Sequence, residues 1–230
     1  MIDAELARGL AAGGILALVF LGVPALGVFA LVAKHTSPAP LIGRLREGHP
    51  VFGQLPADIR QFQEAHGLAQ VEVMQYGQIP FALYREPPGP PPSRCMVVMH
   101  AGGRYVSEFC TQFSGHESLT TTRSASAFAL PRPPGSHIQG FMNLSLELLW
   151  ARHLEGELYL LDQRKIAVTP LPAELQDAVF LIERELREQG KFIKAVPLYL
   201  LKAPWWFYVR RHRMVNKTLA QQAATGIRHA

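Results

Sequence analysis

The sequence predicts an α+β protein in which an N-terminal transmembrane helix precedes a small β-meander of about five strands packed with C-terminal helices. Three observations lead to this prediction. Residues 10–33 are an uncharged apolar run, residues 71–128 contain β-rich runs divided by glycine and proline, and residues 144–189 show two helical patterns. The predicted parts are a short tail (1–9), the transmembrane helix (10–33), a juxtamembrane linker (34–56), an α+β domain (57–190) and a basic amphipathic tail (191–230).

The apolar run of residues 10–33 is long enough to cross a bilayer. As a helix its 24 residues would span roughly 36 Å, and the hydrocarbon core of a bilayer is about 30 Å thick. A cleaved signal peptide is the alternative interpretation. However, Asp3 and Glu5 outnumber Arg8 before the run, and the run exceeds the usual signal core of about 7–15 residues. These features favour a retained single-pass anchor.

The charges that flank the anchor indicate its orientation. Lys34, Arg44 and Arg46 follow the run, whereas Arg8 is the only basic residue before it. Lys and Arg concentrate on the cytoplasmic side of membrane helices. The sequence therefore predicts the inner (cytoplasmic) membrane of a bacterium as the location, with the domain on the cytoplasmic side.

Two glycines near the start of the anchor have the spacing of a helix-packing motif. Gly9 and Gly13 form a G-x-x-x-G pattern, which lets two membrane helices approach closely. Glycine is also frequent in membrane helices without such a role. The pattern therefore predicts helix packing but leaves the second interpretation open.

The first half of the predicted domain contains a short helix and two strands. The helix covers residues 57–66 and follows Pro56. The strands cover residues 71–76 and 81–85, with a turn at Gly77 between them.

Three further strands and a spacer complete the predicted meander. The PPGPPP sequence at residues 87–92 cannot continue a central strand and predicts an extended spacer. The runs at residues 94–101 and 104–113 flank Gly102-Gly103, which is a two-residue hairpin signal. A last run at residues 118–128 is rich in Thr and Ser.

Two amphipathic patterns after the strands predict helices. The first covers residues 144–163, and the second covers residues 173–189 and ends at Gly190. His153 lies on the apolar side of the first helix, so we expect it to be a hydrogen-bonded core residue and not a ligand.

The two cysteines of the chain fall on the predicted hairpin. If the chain turns at Gly102-Gly103, Cys95 and Cys110 lie directly opposite each other. Opposed residues are close enough for a disulfide, which would suit an oxidising compartment. Two free thiols in a cytoplasmic sheet are the interpretation favoured by the predicted orientation.

One polar cluster resembles part of an enzyme site. The sequence MHAGGR around Gly102-Gly103 is similar to the glycine-rich oxyanion loops of hydrolases, which would imply a site near His100, Arg104, Tyr105 and His116. Hydrolases of that type also use a G-x-S-x-G nucleophile turn, and the sequence contains none. The histidines likewise lack the spacing of a zinc site. We therefore expect neither a metal nor a cofactor.

The tail from residue 191 onward is basic and begins with aromatic residues. It contains eight Lys or Arg and no acid, whereas the preceding residues carry 15 Lys or Arg against 18 Asp or Glu. Helical projection places Tyr208 and Trp205 on one face and the cations opposite. The predicted membrane-interface residues are Trp205, Trp206, Tyr208, Arg210, Arg211, Arg213 and Lys217.

Three roles are compatible with such a tail. Aromatic rings and cations suit the head-group level of a membrane, packing on the domain is the simpler role, and nucleic-acid binding is the third. Tethering of the chain by the anchor favours lipid. The run from Thr111 to Thr121, with the helix around Trp150, resembles bacterial membrane proteins in general character.

Together these features predict a membrane-anchored accessory or interaction subunit of a larger bacterial membrane assembly, without intrinsic catalysis. Its expected partners are membrane lipids and other membrane-protein subunits, and nucleic acid is not expected. The alternative is a membrane-bound, hydrolase-like enzyme that uses the polar cluster at the hairpin.

Overall fold

The computed structural model describes residues 4–45, 50–86, 94–128, 130–170, 172 and 175–225. The predicted proline spacer at residues 87–92 lies outside them. The strands are β1 (Ile42–Arg44), β2 (Ala69–Tyr76), β3 (Ile79–Arg85), β4 (Arg94–Ala101), β5 (Arg104–Gln112), β6 (Ser118–Thr122) and β7 (Ser136–Gly140).

The helices follow the same numbering along the chain. They are α1 (Ala4–Thr36), α2 (Pro50–Gly53), α3 (Ala57–Ala65), α4 (Leu146–Arg164), α5 (Leu175–Ala195), α6 (Tyr199–Pro204), α7 (Arg211–Met214) and α8 (Leu219–Ala224). A π-helical turn, Trp205–Arg210, joins α6 to α7, and short 3-10 turns lie at Ser114–His116 and Ala125–Phe128.

The seven described strands form one mixed sheet in the order of the sequence. All neighbours are antiparallel except β6 and β7, which are parallel. The α+β class is confirmed, but the prediction of about five strands is wrong. β1 has only three residues and lies in the predicted linker, and β7 has five residues that directly follow Gly135. Strands this short carry too little alternation to be recognised in a sequence.

The hairpin at Gly102-Gly103 is confirmed. Ala101 lies opposite Arg104, and the two glycines have φ angles of +58° and +74°. Positive φ at both central residues is the requirement of the type I′ turn, which matches the twist of the flanking strands. This turn fixes the register of β4 and β5.

Helices cover both faces of the sheet. Met96 and Val98 of β4 belong to the core beneath α3 and α4, whereas Cys95 of the same strand belongs to the core beneath α5. This alternation follows from the two-residue period of a strand. Ser145 caps α4 by accepting a hydrogen bond from the Leu148 N–H, so the helix begins close to the predicted position.

The second predicted helix is longer than expected. α5 runs from Leu175 to Ala195, and Gly190, which was predicted to end it, lies inside it. Glycine ends a helix when it adopts the left-handed conformation, but the Gly190 backbone continues the helix. The residue instead lies where α1 crosses α5.

The C-terminal part of α1 belongs to the domain. Val28, Val32 and His35 are buried. Val28 and Val32 pack in a cluster with Ile193 of α5 and Trp206 of the π-helical turn. The chain stays attached beyond α1, because the Leu41 and Ile42 N–H groups donate to the Glu183 carboxylate. The segment predicted as a linker therefore starts inside the folded body.

Candidate membrane-facing site

Helix α1 exposes large apolar side chains before it enters the domain. It is long and apolar enough to cross a membrane, and 22% of its Val19–Thr36 stretch is buried. The buried residues of this stretch lie three or four positions apart and therefore on one side of the helix; they are Pro24, Val28, Val32 and His35. The more than half-exposed apolar residues are Val19, Phe20, Leu21, Val23, Leu26 and Phe29.

A second segment extends this apolar face. The helix that begins at Tyr199 packs beside α1, with Ala203 buried in the shared cluster. On its outer side, Leu198, Leu201, Trp205 and Tyr208 are exposed. The last three are spaced by four and three residues, so they lie on one face of the helix.

The two exposed faces are continuous. The Tyr208 ring lies 5.7 Å from the Phe20 ring, measured between centroids. We call the exposed residues of α1 together with Leu198, Leu201, Trp205 and Tyr208 the apolar surface. Soluble monomers rarely expose a contiguous apolar patch of this kind, and such patches mark sites for membranes or partner proteins.

The π-helical turn Trp205–Arg210 has one buried and one exposed side. It follows Pro204, which has no N–H to donate to a regular helix, and its bonds reach five residues along the chain. Trp206 and Arg210 are buried in this turn, whereas Trp205 is 46% exposed.

The structure divides the predicted interface residues between the exposed and the buried side of the C-terminal helices. Trp205 and Tyr208 are on the apolar surface, and Arg213 is exposed beyond them. Arg211 is half-buried with its guanidinium 5.7 Å from the Phe207 ring, and Lys217 is also half-buried. In contrast with the expectation, Trp206 and Arg210 face the interior.

The predicted single amphipathic helix is not formed. The helix ends at Met214, and Val215 is extended. Asn216 has a φ of +59°, and a new helix begins after Thr218, whose side chain forms a capping box with Gln221. The helical projection of the sequence from Trp205 onward assumed one continuous helix. The chain instead forms two helices in this region, with a break between Met214 and Leu219. Gly9 and Gly13 lie in the α1 backbone, but their surroundings are outside the described part of the structure.

Arg210 is the predicted interface residue whose position in the structure differs most from the expectation. It is 3% exposed, and its Nη1 donates to the Leu130 carbonyl oxygen at 2.6 Å. Burial, followed by the charge of Arg132, lowers the pKa of Arg210 to about 10. In the sequence it stands in a basic run, which normally indicates a solvated face.

A buried polar chain crosses the core on the opposite face of the sheet. The Thr121 hydroxyl lies 2.8 Å from His153 Nδ1, and the Thr111 hydroxyl lies 2.9 Å from His153 Nε2. Thr111 also donates to the Glu157 carboxylate. His153 is fully buried, so its prediction as a hydrogen-bonded core residue is confirmed. Burial, followed by the charge of Arg94, lowers the pKa of His153 to about 3 and keeps the ring neutral.

The chain of hydrogen bonds ends at an ion pair between the buried Glu157 and the half-buried Arg94. Arg94 donates to both oxygens of Glu157 at 2.9 Å, and its guanidinium lies 5.7 Å from the Trp150 ring. A cavity of about 10 Å³ lies beside this pair, which has room for about one water molecule and is far below the roughly 300–1,000 Å³ of most small-molecule sites. It is lined by Phe62, His66, Leu68, Glu86, Arg94, Cys95, Met96, Phe109 and Trp150.

The residues of the enzyme alternative do not converge. His100 and Tyr105 are opposite each other, with ring centroids 4.9 Å apart, and Arg104 is exposed at the adjacent turn. His116 lies past Gln112, at the other end of β5. The seven residue steps from Tyr105 to Gln112 separate the two ends by about 23 Å at the rise of a strand. The four side chains therefore cannot act on one substrate atom.

The predicted cysteine register is observed. Cys95 pairs with Cys110 across β4 and β5, and both are thiols. The hydrogen bond with the Cys95 thiol, followed by burial, raises the pKa of Cys110, so Cys110 has little thiolate character. Among the described residues, no three His, Cys, Asp or Glu side chains lie close enough to hold a metal ion.

Comparison of the chain with protein-family models, with curated proteins and with solved structures gives no significant match. A functional conclusion must therefore come from the geometry of the chain itself.

Proposed function

We propose that the protein is a single-pass accessory or interaction subunit of a bacterial membrane assembly, anchored by α1 and without catalysis of its own. The observation that carries this proposal is the apolar surface, which is shared by α1 and by the helix that follows Tyr199. Lipid or another membrane helix would remove these side chains from water, at about 25 cal/mol for each Å² of apolar area buried.

The attachment of the domain supports an interaction role. His35 at the end of α1 is 1% exposed, and its Nε2 lies 2.6 Å from the Tyr76 hydroxyl oxygen. Arg187 holds the following residues by donating to the carbonyl oxygens of Ser37 and Ala39. A domain fixed in this way presents its outer faces at a defined height and angle to a neighbouring subunit.

We further propose that the domain lies on the cytoplasmic side of the inner membrane. Lys34 and Arg44 follow the apolar run at the domain end of α1, whereas Arg8 is the only Lys or Arg before that run. Cations at this end match the positive-inside tendency and the anionic cytoplasmic leaflet.

Two measurements test the proposal. Carbonate extraction of membranes should leave the full chain in the membrane pellet, and purification in a mild detergent should recover other membrane proteins in fixed ratio. The double variant L201K/Y208K changes the apolar surface without touching the buried cluster, so it should lose the partners but keep the fold. L148K/L158K, on exposed positions of α4, is the matched control. Recovery of the chain in the soluble fraction, or as a partner-free monomer in every mild detergent, would refute this function.

A further inference from the structure

The α6 segment, which we define as residues 198–208, lies beside the uncharged run of α1 and not beyond its end. Ala203 and Trp206 of this segment pack in one cluster with Val28. Val28 precedes Ala33, the last residue of the run, by five residues, or about 8 Å along the helix. One leaflet supplies half of a hydrocarbon core of about 30 Å. If the run fills the core, this part of the segment therefore lies at the depth of the acyl chains.

The far end of the α6 segment reaches deeper along the run. The Tyr208 ring lies 5.7 Å from the Phe20 ring, measured between centroids. Phe20 precedes Ala33 by 13 residues, or about 20 Å along the helix. A typical tilt of about 20° would shorten such a depth by less than a tenth. The contact between the two rings thus lies near the middle of the uncharged run.

A different position of the bilayer along α1 would leave the α6 segment outside the core, but it would bring charges into it. A core of about 30 Å takes roughly 20 helical residues. A core that ended at Phe20 would therefore contain Glu5 and Arg8. Charged side chains are costly and rare inside a bilayer, and the run of residues 10–33 has none.

The outer side chains of the α6 segment suit an apolar environment. Leu198 is 71% exposed and Leu201 is 75% exposed, and Trp205 and Tyr208 continue the same side. Lys202 is also exposed. It is adjacent to Ala203 at the shallow level of Val28, from which a lysine side chain can extend to the head groups.

Exposed cations mark the head-group level beside the segment. Gly190 of α5 lies against His35, which is two residues beyond the end of the uncharged run. The next residue, Lys191, is exposed, and so is Lys194. From residue 191 onward the sequence contains no Asp or Glu. This end of α5 therefore offers only positive charge to an anionic leaflet.

We propose that the α6 segment inserts among the acyl chains of the leaflet that adjoins the domain, as a second membrane-embedded element beside α1. The proposal rests on the membrane anchoring proposed above. It assigns lipid, and not a partner helix, to the outer side of Leu198, Leu201 and Trp205. It also accounts for the loss of partners expected of L201K/Y208K, because lysines expelled from the acyl chains would change the tilt of the domain.

The full chain with one cysteine labelled by the fluorophore NBD tests this insertion. L201C and the matched control L158C, at a 68% exposed position of α4, are reconstituted without partners in vesicles of phosphatidylcholine and phosphatidylglycerol. Nitroxides on the lipid acyl chains should quench the label at position 201, and iodide on both sides of the membrane should not. The label at position 158 should show the reverse. The unsubstituted chain, treated in parallel, gives the background from the two native thiols.

Three outcomes would overturn the inference. Quenching at position 201 by iodide would place the segment in water. Quenching only by nitroxides on the head groups would restrict it to the membrane surface. Equal quenching of both labels by acyl-chain nitroxides would show that the contact with lipid is not specific to the segment. If L201C does not fold, W205C provides the same comparison.

Carbonate extraction separates this inference from the proposed function. A chain that stays in the membrane pellet, but whose label at position 201 is quenched by iodide, would be anchored by α1 without insertion of the α6 segment. A chain that carbonate releases would refute the anchoring itself.

Discussion

Gly190 of α5 lies directly against His35 of α1. A Cβ atom at position 190 would be 2.4 Å from the Cβ of His35 and 3.5 Å from its backbone carbon. His35 is held from the other side by the Tyr76 hydroxyl. The end of α1 is therefore wedged between a helix and a strand, and the contact depends on the missing side chain of Gly190.

Gly190→Ala should loosen this junction. Overpacking typically costs about 1–3 kcal/mol, and the better helix propensity of alanine returns up to about 1 kcal/mol. We expect a net loss of roughly 1–2 kcal/mol, or a fall in Tm of several degrees, in detergent-solubilised protein. Gly22→Ala is the control, because a Cβ at position 22 meets no atom within 4 Å, and it should leave the Tm unchanged or raise it. A Gly190→Ala protein as stable as the wild type would show that the junction is not tightly packed.

The same contact shows what the sequence can and cannot predict. Three features depend on local patterns in the sequence, and the structure contains all of them. They are the apolar length of α1, the hairpin at Gly102-Gly103 and the register of Cys95 with Cys110. The continuation of α5 through Gly190 depends on a helix more than 150 residues away in the chain. No local pattern distinguishes a glycine that ends a helix from a glycine inside a helix that allows a second helix to pack closely against it.

His153→Leu should destabilise the domain strongly. The imidazole hydrogen-bonds to the hydroxyl groups of Thr111 and Thr121. Leucine would remove one partner from each hydroxyl, although Thr111 would keep its bond to Glu157 and Thr121 its bond from Gln139. An unsatisfied buried group costs about 1–3 kcal/mol, so we expect a loss of roughly 1–3 kcal/mol in denaturant unfolding. Leu158→Gln, which is 68% exposed on the same helix, should change stability by less than about 0.5 kcal/mol. Similar stability of the two variants would contradict the structural role of the network.

Stability should fall as the pH is lowered from 7 to 5. His153 has a pKa of about 3 in the folded chain, and the ordinary value of about 6.5 applies once the chain unfolds. Between these values the unfolded state binds the proton and the folded state does not. This residue therefore contributes stability that is complete above about pH 6.5 and is lost on acidification, by roughly 2 kcal/mol between pH 7 and pH 5.

The pKa values of Glu86 and Glu108 are raised in the folded chain, so protonation of these two carboxyls favours the folded state as the pH falls. The contribution of His153 to the pH dependence of stability must therefore be isolated with a variant. The difference in unfolding free energy between wild type and His153→Gln should shrink towards pH 5. His212→Gln, at an exposed position, should preserve the wild-type pH dependence because position 153 is unchanged. A constant difference between wild type and His153→Gln from pH 7 to pH 5 would exclude this account.

The candidate site was harder to anticipate than the fold. Trp205 and Tyr208 were expected on one apolar face, and both are exposed there. Arg210 was assigned to the solvated face, yet it shares the buried face of the helix with Trp206, four residues earlier. A projection at 100° per residue places these two residues on one side, but it contains no information about which side packs against the domain. The buried chain around His153 likewise joins side chains from three separate elements, which only the tertiary fold brings together.

Cys95 and Cys110 should be free thiols in protein alkylated during lysis, if the domain is cytoplasmic. Each is opposite the other in the sheet, at a spacing of about 4.5–5.5 Å between Cα atoms that a disulfide can bridge. Thiol counting should therefore give two alkylated cysteines per chain, and diamide treatment of unalkylated protein should reduce the count to none. Cys110→Ser should keep one reactive thiol after diamide. A disulfide already present in cells would place the domain on the oxidising side of the membrane.

The adjacent residues Trp205 and Trp206 should respond in opposite ways to substitution. Trp206 is 5% exposed and packs with Val28 and Val32, whereas Trp205 is 46% exposed on the apolar surface. Trp206→Ala should cost about 3–5 kcal/mol of folding stability, and Trp205→Ala should cost little. In vesicles, quenching of tryptophan fluorescence by brominated lipid should fall in Trp205→Ala, because its ring contacts the bilayer, but not in the folded fraction of Trp206→Phe. Undiminished quenching in Trp205→Ala would mean that the surface faces a protein partner or water and not lipid.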